Sequence, residues 1–352
     1  MQVFTLPDVH DRWPFPPFQN RWDDVVSLES LRWVESLGLR TPEQLEKFRA
    51  AHFHGIASMA YPHVVDPEHY RIACDFVNLL FLVDDITDVL GADEVHKLTV
   101  IALDALKNPT GQGDSDEHPF ANMHRTSVPI ISSNCLIHQH SANDSSFGQR
   151  LQSVRPSASV LDKFTNNYDL YLRAVIEEAE ERDTLKVRDT LTSYLELRRN
   201  TGAVTCCFNL LLLPFDIPED VLADPRIAQL ETIGLDLVCV GNDILSFNVE
   251  QARGDIHNAV IVAMKEHGLS VQAAMDFIGA WYHRNTDEFC ALMRDLPECK
   301  DLETRSQLKK YVAGLADWVT ANYEWCLRSR RYDLDDKELG KGGWVVPLLE
   351  RK

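Results

Sequence analysis

The sequence predicts an all-α fold, one helical bundle around a central cavity. Three observations lead there. From about residue 27 onward, apolar residues recur at three- and four-residue spacing in long segments separated by short turn signals. Runs with strand-like alternation are scarce. One long segment, 69–91, is apolar on nearly every face, as a helix enclosed by other helices must be.

Residues 1–20 are rich in proline and aromatic side chains and read as an extended strap laid on the body. SLESLRWVESLG (27–38) follows as a helix stopped by Gly38, then TPEQLEKFRAAHF (41–53) as a helix capped by Thr41 with Pro42 at its first position. HYRIACDFVNLLFLVDDITDVLG (69–91) is the buried central helix. KNPTGQGDSDEHPF (107–120) is polar and turn-rich, an exposed loop inside one fold and not a linker between two domains. Helices are then expected over 157–183, 190–213, 227–255, 269–296 and 304–332, with a turn at FDIPEDVLADP (215–225). A single domain over 1–352 with 1–20 as its strap is the expected organisation. No internal repeat indicates a solenoid.

Composition narrows the function. Acidic residues number 54 against 35 basic, a formal charge of −19, which argues against a nucleic-acid surface and against attraction to anionic lipid. The eight cysteines lack CxxC spacing and the density of a disulfide framework, so they are expected to be reduced in a cytoplasmic protein. MQVFTLPDVHDRWPFPP has no basic segment followed by an apolar run, the form of a secretion signal. Apolar runs such as VNLLFLV (77–83) are too short to span a bilayer, so no transmembrane anchoring is expected.

Two acidic patches far apart in sequence carry the chemistry. In LVDDITD (82–88), Asp84 and Asp88 fall one helical turn apart with Asp85 beside them. Three carboxylates at the end of a buried helix repel one another and lose solvation, and divalent cations remove both penalties. Oxygen donors suit Mg²⁺, which binds through one or two carboxylates together with substrate phosphates. In NDILSFNVE (242–250), Asn242, Ser246 and Glu250 fall at i, i+4 and i+8, a mixed neutral and charged set that can hold Mg²⁺ without adding three more charges. Asp243 lies off that stripe. A solvated acidic helix end and a polar surface face are the plain alternatives, and the apolar runs before each patch, FVNLLFLV and IGLDLVCVG, weigh against them. An EF-hand is excluded by the absence of its twelve-residue loop. His52, His54, His138 and His140 lack a metal-ligand pattern and read as surface or core residues, while His257 and Asn258 follow the second helix as candidate braces of its end.

On these residues the chain resembles the class I terpene synthases, of the fungal sesquiterpene cyclase type. LVDDITD is similar to the family's aspartate-rich motif, and NDILSFNVE to its asparagine-serine-glutamate motif, in the right order and about 150 residues apart. LRRNTG (197–202) resembles the segment that senses diphosphate, implying Arg198 as sensor, Thr201 as linker and Gly202 as effector, with Arg199 an adjacent competitor. RSRRY (328–332) resembles the C-terminal arginine-tyrosine pair and implies Arg331 and Tyr332 as diphosphate donors. Where many relatives carry lysine or arginine before the metal-binding glutamate, this chain has Val249. The missing phosphate contact is then absent or supplied by Arg253 or Arg199.

The resemblance implies a class I terpenoid synthase bundle that uses Mg²⁺, three ions in the closed complex, held by Asp84, Asp88, Asn242, Ser246 and Glu250. Its substrate would be an isoprenoid diphosphate, farnesyl diphosphate, ionised and cyclised by a monomer or homodimer without a nucleic-acid partner. The cavity wall should then be apolar and aromatic, with Phe81, three residues before Asp84, the leading candidate to face a carbocation; Leu80 lies on the same side. Phe247, Trp325, Tyr171 and Phe76 are expected mainly as core. A head-to-tail prenyltransferase and a non-enzymatic helical scaffold are the alternatives. The first normally carries two aspartate-rich motifs, and the second leaves the recurring spacing of ligand oxygens unexplained.

Overall fold

The structure, a computed structural model, describes residues 2–107, 119–124, 147–332, 334 and 343–351. All but the ends of the expected 107–120 loop, and His138 and His140, lie outside the described residues.

Helices begin where the sequence supplies a cap. α1 (Asp23–Ser36) opens on two aspartates that suit the positive end of the helix dipole, and Gly38 beyond it takes a left-handed φ of +65°. Thr41 and Gln44 form a reciprocal capping box around Pro42 to start α2 (Pro42–Ala50). The helix expected over 41–53 is interrupted: His52 adopts φ +51°, and the chain restarts as the apolar α3 (Phe53–Ala60), which turns in against α15 (Leu302–Arg328). Propensity alone would continue that helix, and burial of Phe53, Ile56 and Ala57 redirects it.

Asp66 caps α4 (Pro67–Thr87), followed by α5 (Ala92–Lys107), α6 (Pro119–His124) and α7 (Phe147–Ser153). Ser157 caps α8 (Ala158–Asp183) and Thr190 caps α9 (Leu191–Thr201). The segment 190–213, expected as one helix, breaks after Gly202, where Ala203 at φ +52° starts α10 (Val204–Leu211) in a new direction. The turn at 215–225 contains one short helix, α11 (Glu219–Leu222). Then come α12 (Pro225–Arg253), α13 (Ala259–His267), α14 (Val271–Leu292) and α15.

Helix α12 is long and apolar enough to cross a membrane by length and composition, but 83% of its most apolar window is buried inside the protein. It runs along α15 and α14, while α3 packs on α4 and α15, and α8 on α5, α9 and α10. This makes α12 a core helix. The strap residues pair as well: β1 (Val3–Pro7) lies antiparallel to β2 (Gly343–Pro347), with Val3 opposite Pro347. Trp13 Nε1 donates to Thr320 Oγ1 at 2.8 Å and Asn20 Nδ2 to the Tyr61 carbonyl at 2.7 Å, fastening the rest of the strap to α15 and α3. A cavity opens between α4, α8, the α9–α10 break, α12 and the end of α15.

Candidate active site

The cavity is about 200 Å³. One wall is the last two turns of α4, where Leu80, Phe81, Asp84 and Asp88 all face inward. Side chains at this spacing share one helical face. Asp84 and Asp88 keep 47% and 52% of their side-chain surface open, so an ion arriving through the mouth could reach them. The walls nonetheless displace much of their water, which raises both carboxyl pKa values above the ordinary range; at Asp88 the neighbouring Asp84 and Glu178 add to the effect. Asp85 is turned away from the cavity lining. It accepts from Arg40 Nη2 at 2.7 Å and from Arg331 Nη1 at 3.0 Å.

The facing wall is the C-terminal half of α12. Asn242 and Glu250 line the cavity, and Ser246 lies between them, fully buried. Asn242 accepts from Arg198 Nη2 at 3.1 Å and donates to the Tyr332 hydroxyl at 3.0 Å. Burial pushes the Glu250 carboxyl up to about 7, with Asp243 contributing in the same direction. Asn258, which caps α13, donates to Glu250 Oε2 at 2.9 Å and to the Asp243 carbonyl at 2.7 Å. Asn258, expected as a brace at the end of this helix, thus reaches the Glu250 carboxyl itself as well as the helix backbone. Asp243 accepts from Tyr194, Arg198 and the Ala259 amide, so it secures the wall without entering the cavity.

The α9–α10 break supplies Arg198, Thr201 and Gly202 to the lining. Burial opposes the charge on Arg198, but Asp243 outweighs it and holds the guanidinium protonated. Arg199 points the other way, making two 2.8 Å bonds to Asp236. A Cβ on Gly202 would come within 2.6 Å of Cys239 Sγ and 3.2 Å of the Arg198 carbonyl, so a larger residue would require the thiol or the helices to shift.

After α15 ends, Arg331 donates to Asp84 Oδ2 at 3.2 Å as well as to Asp85, and its guanidinium lies 5.9 Å from the Phe81 ring centroid. Arg182, Glu178, Arg253 and His257 complete the rim, a group whose placement the sequence did not reveal beyond naming Arg253 and His257. Arg182 Nη2 donates to the carbonyls of Thr87 and Leu90 at 2.9 and 2.8 Å, capping the open end of α4. His257 is held by Glu181 at 3.0 Å. Among the described residues Arg253 makes no hydrogen bond or ion pair, unlike Arg182, Arg198, Arg199 and Arg331.

Deeper in, Phe81 stacks on Phe53 at 3.8 Å and meets Trp325 at 5.2 Å. Trp325 and Tyr171 also line the cavity, against the expectation that they serve mainly as core. Phe76 packs on Phe147 and Phe164, and Phe247 meets Phe4 of the strap, so neither reaches the cavity.

The donor set fits hard divalent cations. Ser246 Oγ is a fully buried hydroxyl that helps to hold the Glu250 carboxyl ionised, and Asn242 lies one turn before it, so three oxygens follow one another along this wall. Burial strains the ionised forms of Asp84, Asp88 and Glu250, which a bound cation would favour. Among the described residues no three His, Cys, Asp or Glu side chains converge closely enough to hold an ion unaided. Two carboxylates on one wall, and one carboxylate with two neutral oxygens on the other, leave room for oxygens of a ligand or water, the habit of Mg²⁺.

Residues 75–288 match the family model described as terpene synthase family 2, C-terminal metal binding. A Δ(6)-protoilludene synthase of Stereum hirsutum is 33% identical over 93% of this chain and 83% of its own length. Sesquiterpene synthase 1 of Postia placenta is 31% identical over 99% of this chain and 96% of its own. Among solved structures, α-eudesmol synthase superposes with a TM-score of 0.74 at 21% identity, covering 92% of this chain and all (100%) of that one. Hedycaryol synthase in complex with nerolidol gives 0.70 at 20% identity, with 92% and 100% coverage.

Proposed function

The chain belongs to the class I terpene synthases of the fungal sesquiterpene type, and from that premise we propose that it ionises farnesyl diphosphate with Mg²⁺ and cyclises the resulting cation to a sesquiterpene. The observation that carries this reading is the shared cavity. Asp84 and Asp88 face Asn242 and Glu250 across a space that Arg198, Arg331 and Tyr332 also line, and the wall below them is aromatic.

In this reading Asp84 and Asp88 hold ions on one side, and Asn242, Ser246 and Glu250 on the other, three ions in all. Bound Mg²⁺ would supply charge neutralisation for the leaving diphosphate. Arg198 and Arg331 present forked donors to the diphosphate oxygens, and Tyr332 offers a hydroxyl. Arg253, one turn beyond Val249 and near Asp255 at the rim, would take the phosphate contact that Val249 cannot make; the pairing of Arg199 with Asp236 favours this choice.

Thr201 and Gly202 transmit the position of Arg198 to the reacting end of the substrate, the Gly202 backbone standing at the lining itself. Phe81, Trp325 and Tyr171 exclude water and present π faces to the migrating positive charge. A basic side chain for the last deprotonation is not required, since the released diphosphate can accept the proton. The whole chain acts as one cyclase domain with 1–20 as its strap, as a cytoplasmic monomer or homodimer with no nucleic-acid partner and no transmembrane anchor.

The test is incubation with geranyl, farnesyl and geranylgeranyl diphosphates in Mg²⁺, each with and without isopentenyl diphosphate, followed by product analysis. A cyclic fifteen-carbon product from farnesyl diphosphate alone is expected. Products that appear only with isopentenyl diphosphate, longer by five carbons, would replace cyclisation with chain extension.

A further inference from the structure

We propose that Asn248 and Gln251 are positioning residues: from the rear of α12 they clamp the C-terminal strand, and thereby hold Arg331 and Tyr332 in register with Asn242. The catalytic consequence rests on the function proposed above, whereas the mechanical coupling does not.

Asn242, Ser246 and Glu250 fall within an arc of about 80° on α12, and Asn248 and Gln251 lie about 140–160° from the centre of that arc. Both amides are nine-tenths buried, each 9% exposed, on the side away from the cavity. Asn248 Nδ2 donates to the Pro347 carbonyl at 2.9 Å, and its Oδ1 accepts from the Leu349 amide at 3.0 Å. A neighbouring β-strand would satisfy a carbonyl and the amide two residues on in the same way. Gln251 Nε2 adds a bond to the Leu349 carbonyl at 2.8 Å.

The ribbon's other strand is gripped similarly from a different helix. The Thr5 amide donates to Gln272 Oε1 at 2.8 Å and Gln272 Nε2 returns a bond to the Thr5 carbonyl at 3.3 Å. Apolar contacts such as Phe4 on Phe247 would hold the ribbon down yet allow it to slide. Paired amides fix its register.

The segment bearing Arg331 and Tyr332 is thus tied to α12 at two places. In front, Asn242 donates to the Tyr332 hydroxyl, which sets Arg331 beside Asp84 and Asp85. Behind, the amide clamp holds 347–349, and only ten residues separate Tyr332 from Gly343. With the rear tie weakened, the front contacts, the Asn242–Tyr332 bond and the Arg331 bonds to Asp84 and Asp85, must bear more of the ordering entropy of this segment.

The test is hydrogen exchange on ligand-free N248L, read at the amides of 329–332 and 343–349, beside Mg²⁺-dependent turnover of farnesyl diphosphate. Exchange is expected to rise about tenfold or more in both segments, and KM to rise about tenfold with a smaller fall in kcat. Q272L, which frees β1 without touching the clamp on 347–349, should speed exchange at Thr5 and leave 329–332 unchanged. Faster exchange at 343–349 with none at 329–332 would overturn the proposal, as would identical effects of N248L and Q272L. Should N248L fail to fold, N248D and Q251L decide the matter, the first keeping the acceptor and losing the donor, the second removing one bond; each should give an intermediate rise at 329–332, and no rise in either overturns the coupling. A wild-type protein inert toward farnesyl diphosphate would refute the functional reading, while the exchange result would still settle the coupling.

Discussion

Arg198 and Arg199 are adjacent in the chain and face opposite ways in the fold. The sequence could name the pair but not choose by geometry, because consecutive helical residues diverge by about 100° and the absolute orientation of α9 depends on its neighbours. Asp236 on α12 takes Arg199, leaving Arg198 for the cavity. The same limit applies to the aromatics. Spacing from Asp84 was enough to place Phe81, but Tyr171, Trp325, Phe76 and Phe247 required the register of long helices against one another. D84N and E250Q are each expected to lower kcat by about 10² or more, by analogy with loss of one strong transition-state electrostatic contact, without lowering the melting temperature. Assays of diphosphate release beside thermal melts check both halves; turnover near wild type in both variants would remove the proposed ion ligands. F81L should shift the distribution of products while total diphosphate release falls less than tenfold or so. An unchanged profile by gas chromatography would take Phe81 out of the cyclisation.

Most helices were legible because their caps and apolar spacing are local. Thr41, Asp66, Ser157, Asp224 and Ser270 each accept a backbone hydrogen bond at the start of the helix they cap. The breaks were less legible. Nothing local distinguishes a helix that continues through His52 or Ala203 from one that redirects there, since the gain lies in burying α3 and α10 against other helices. Nor could five-residue strands be foreseen as a pair, because Val3–Pro7 and Gly343–Pro347 become a ribbon only through each other. The α9–α10 break has a direct test. In G202A the added methyl meets Cys239 Sγ and pushes α9 from α12, so kcat should fall about tenfold or more through displacement of Arg198. G202A/C239A should recover part of that loss, because the thiol is the nearer obstacle and the Arg198 carbonyl, at 3.2 Å, remains. No recovery would show that Gly202 matters for some reason other than this contact.

For the molecule as a whole, the excess acid that argues against nucleic acid does not by itself point to a substrate; the proposed one rests on the cavity, whose two facing walls lie about 150 residues apart in the chain. Global stability carries its own signature. His124 joins α6 to α8: its Nδ1 lies 2.6 Å from the Phe120 carbonyl and its Nε2 2.7 Å from the Tyr168 hydroxyl. The carbonyl can only accept, so the neutral ring protonated at Nδ1 fits, with Nε2 accepting from tyrosine. Burial lowers its pKa from 6.5 to about 4, so between those values the unfolded chain binds the extra proton and stability falls as pH falls. The loss should approach about 3 kcal/mol at this residue; the raised carboxyls of Asp84, Asp88 and Glu250 act in the opposite sense over the same range, so the reading is the difference in urea unfolding free energy between wild type and H124Q, which should move against the wild type by about that amount as pH falls. Burial lowers the pKa of His10 too, a contribution common to both proteins that cancels in the difference. The proposed ionisation site is tested most directly by a crystal structure with Mn²⁺ and inorganic diphosphate, read by anomalous scattering. Manganese peaks at Asp84/Asp88 and at Asn242/Ser246/Glu250, with diphosphate against Arg198, Arg331 and Tyr332, are expected. Diphosphate bound elsewhere, or no metal at either wall, would contradict it.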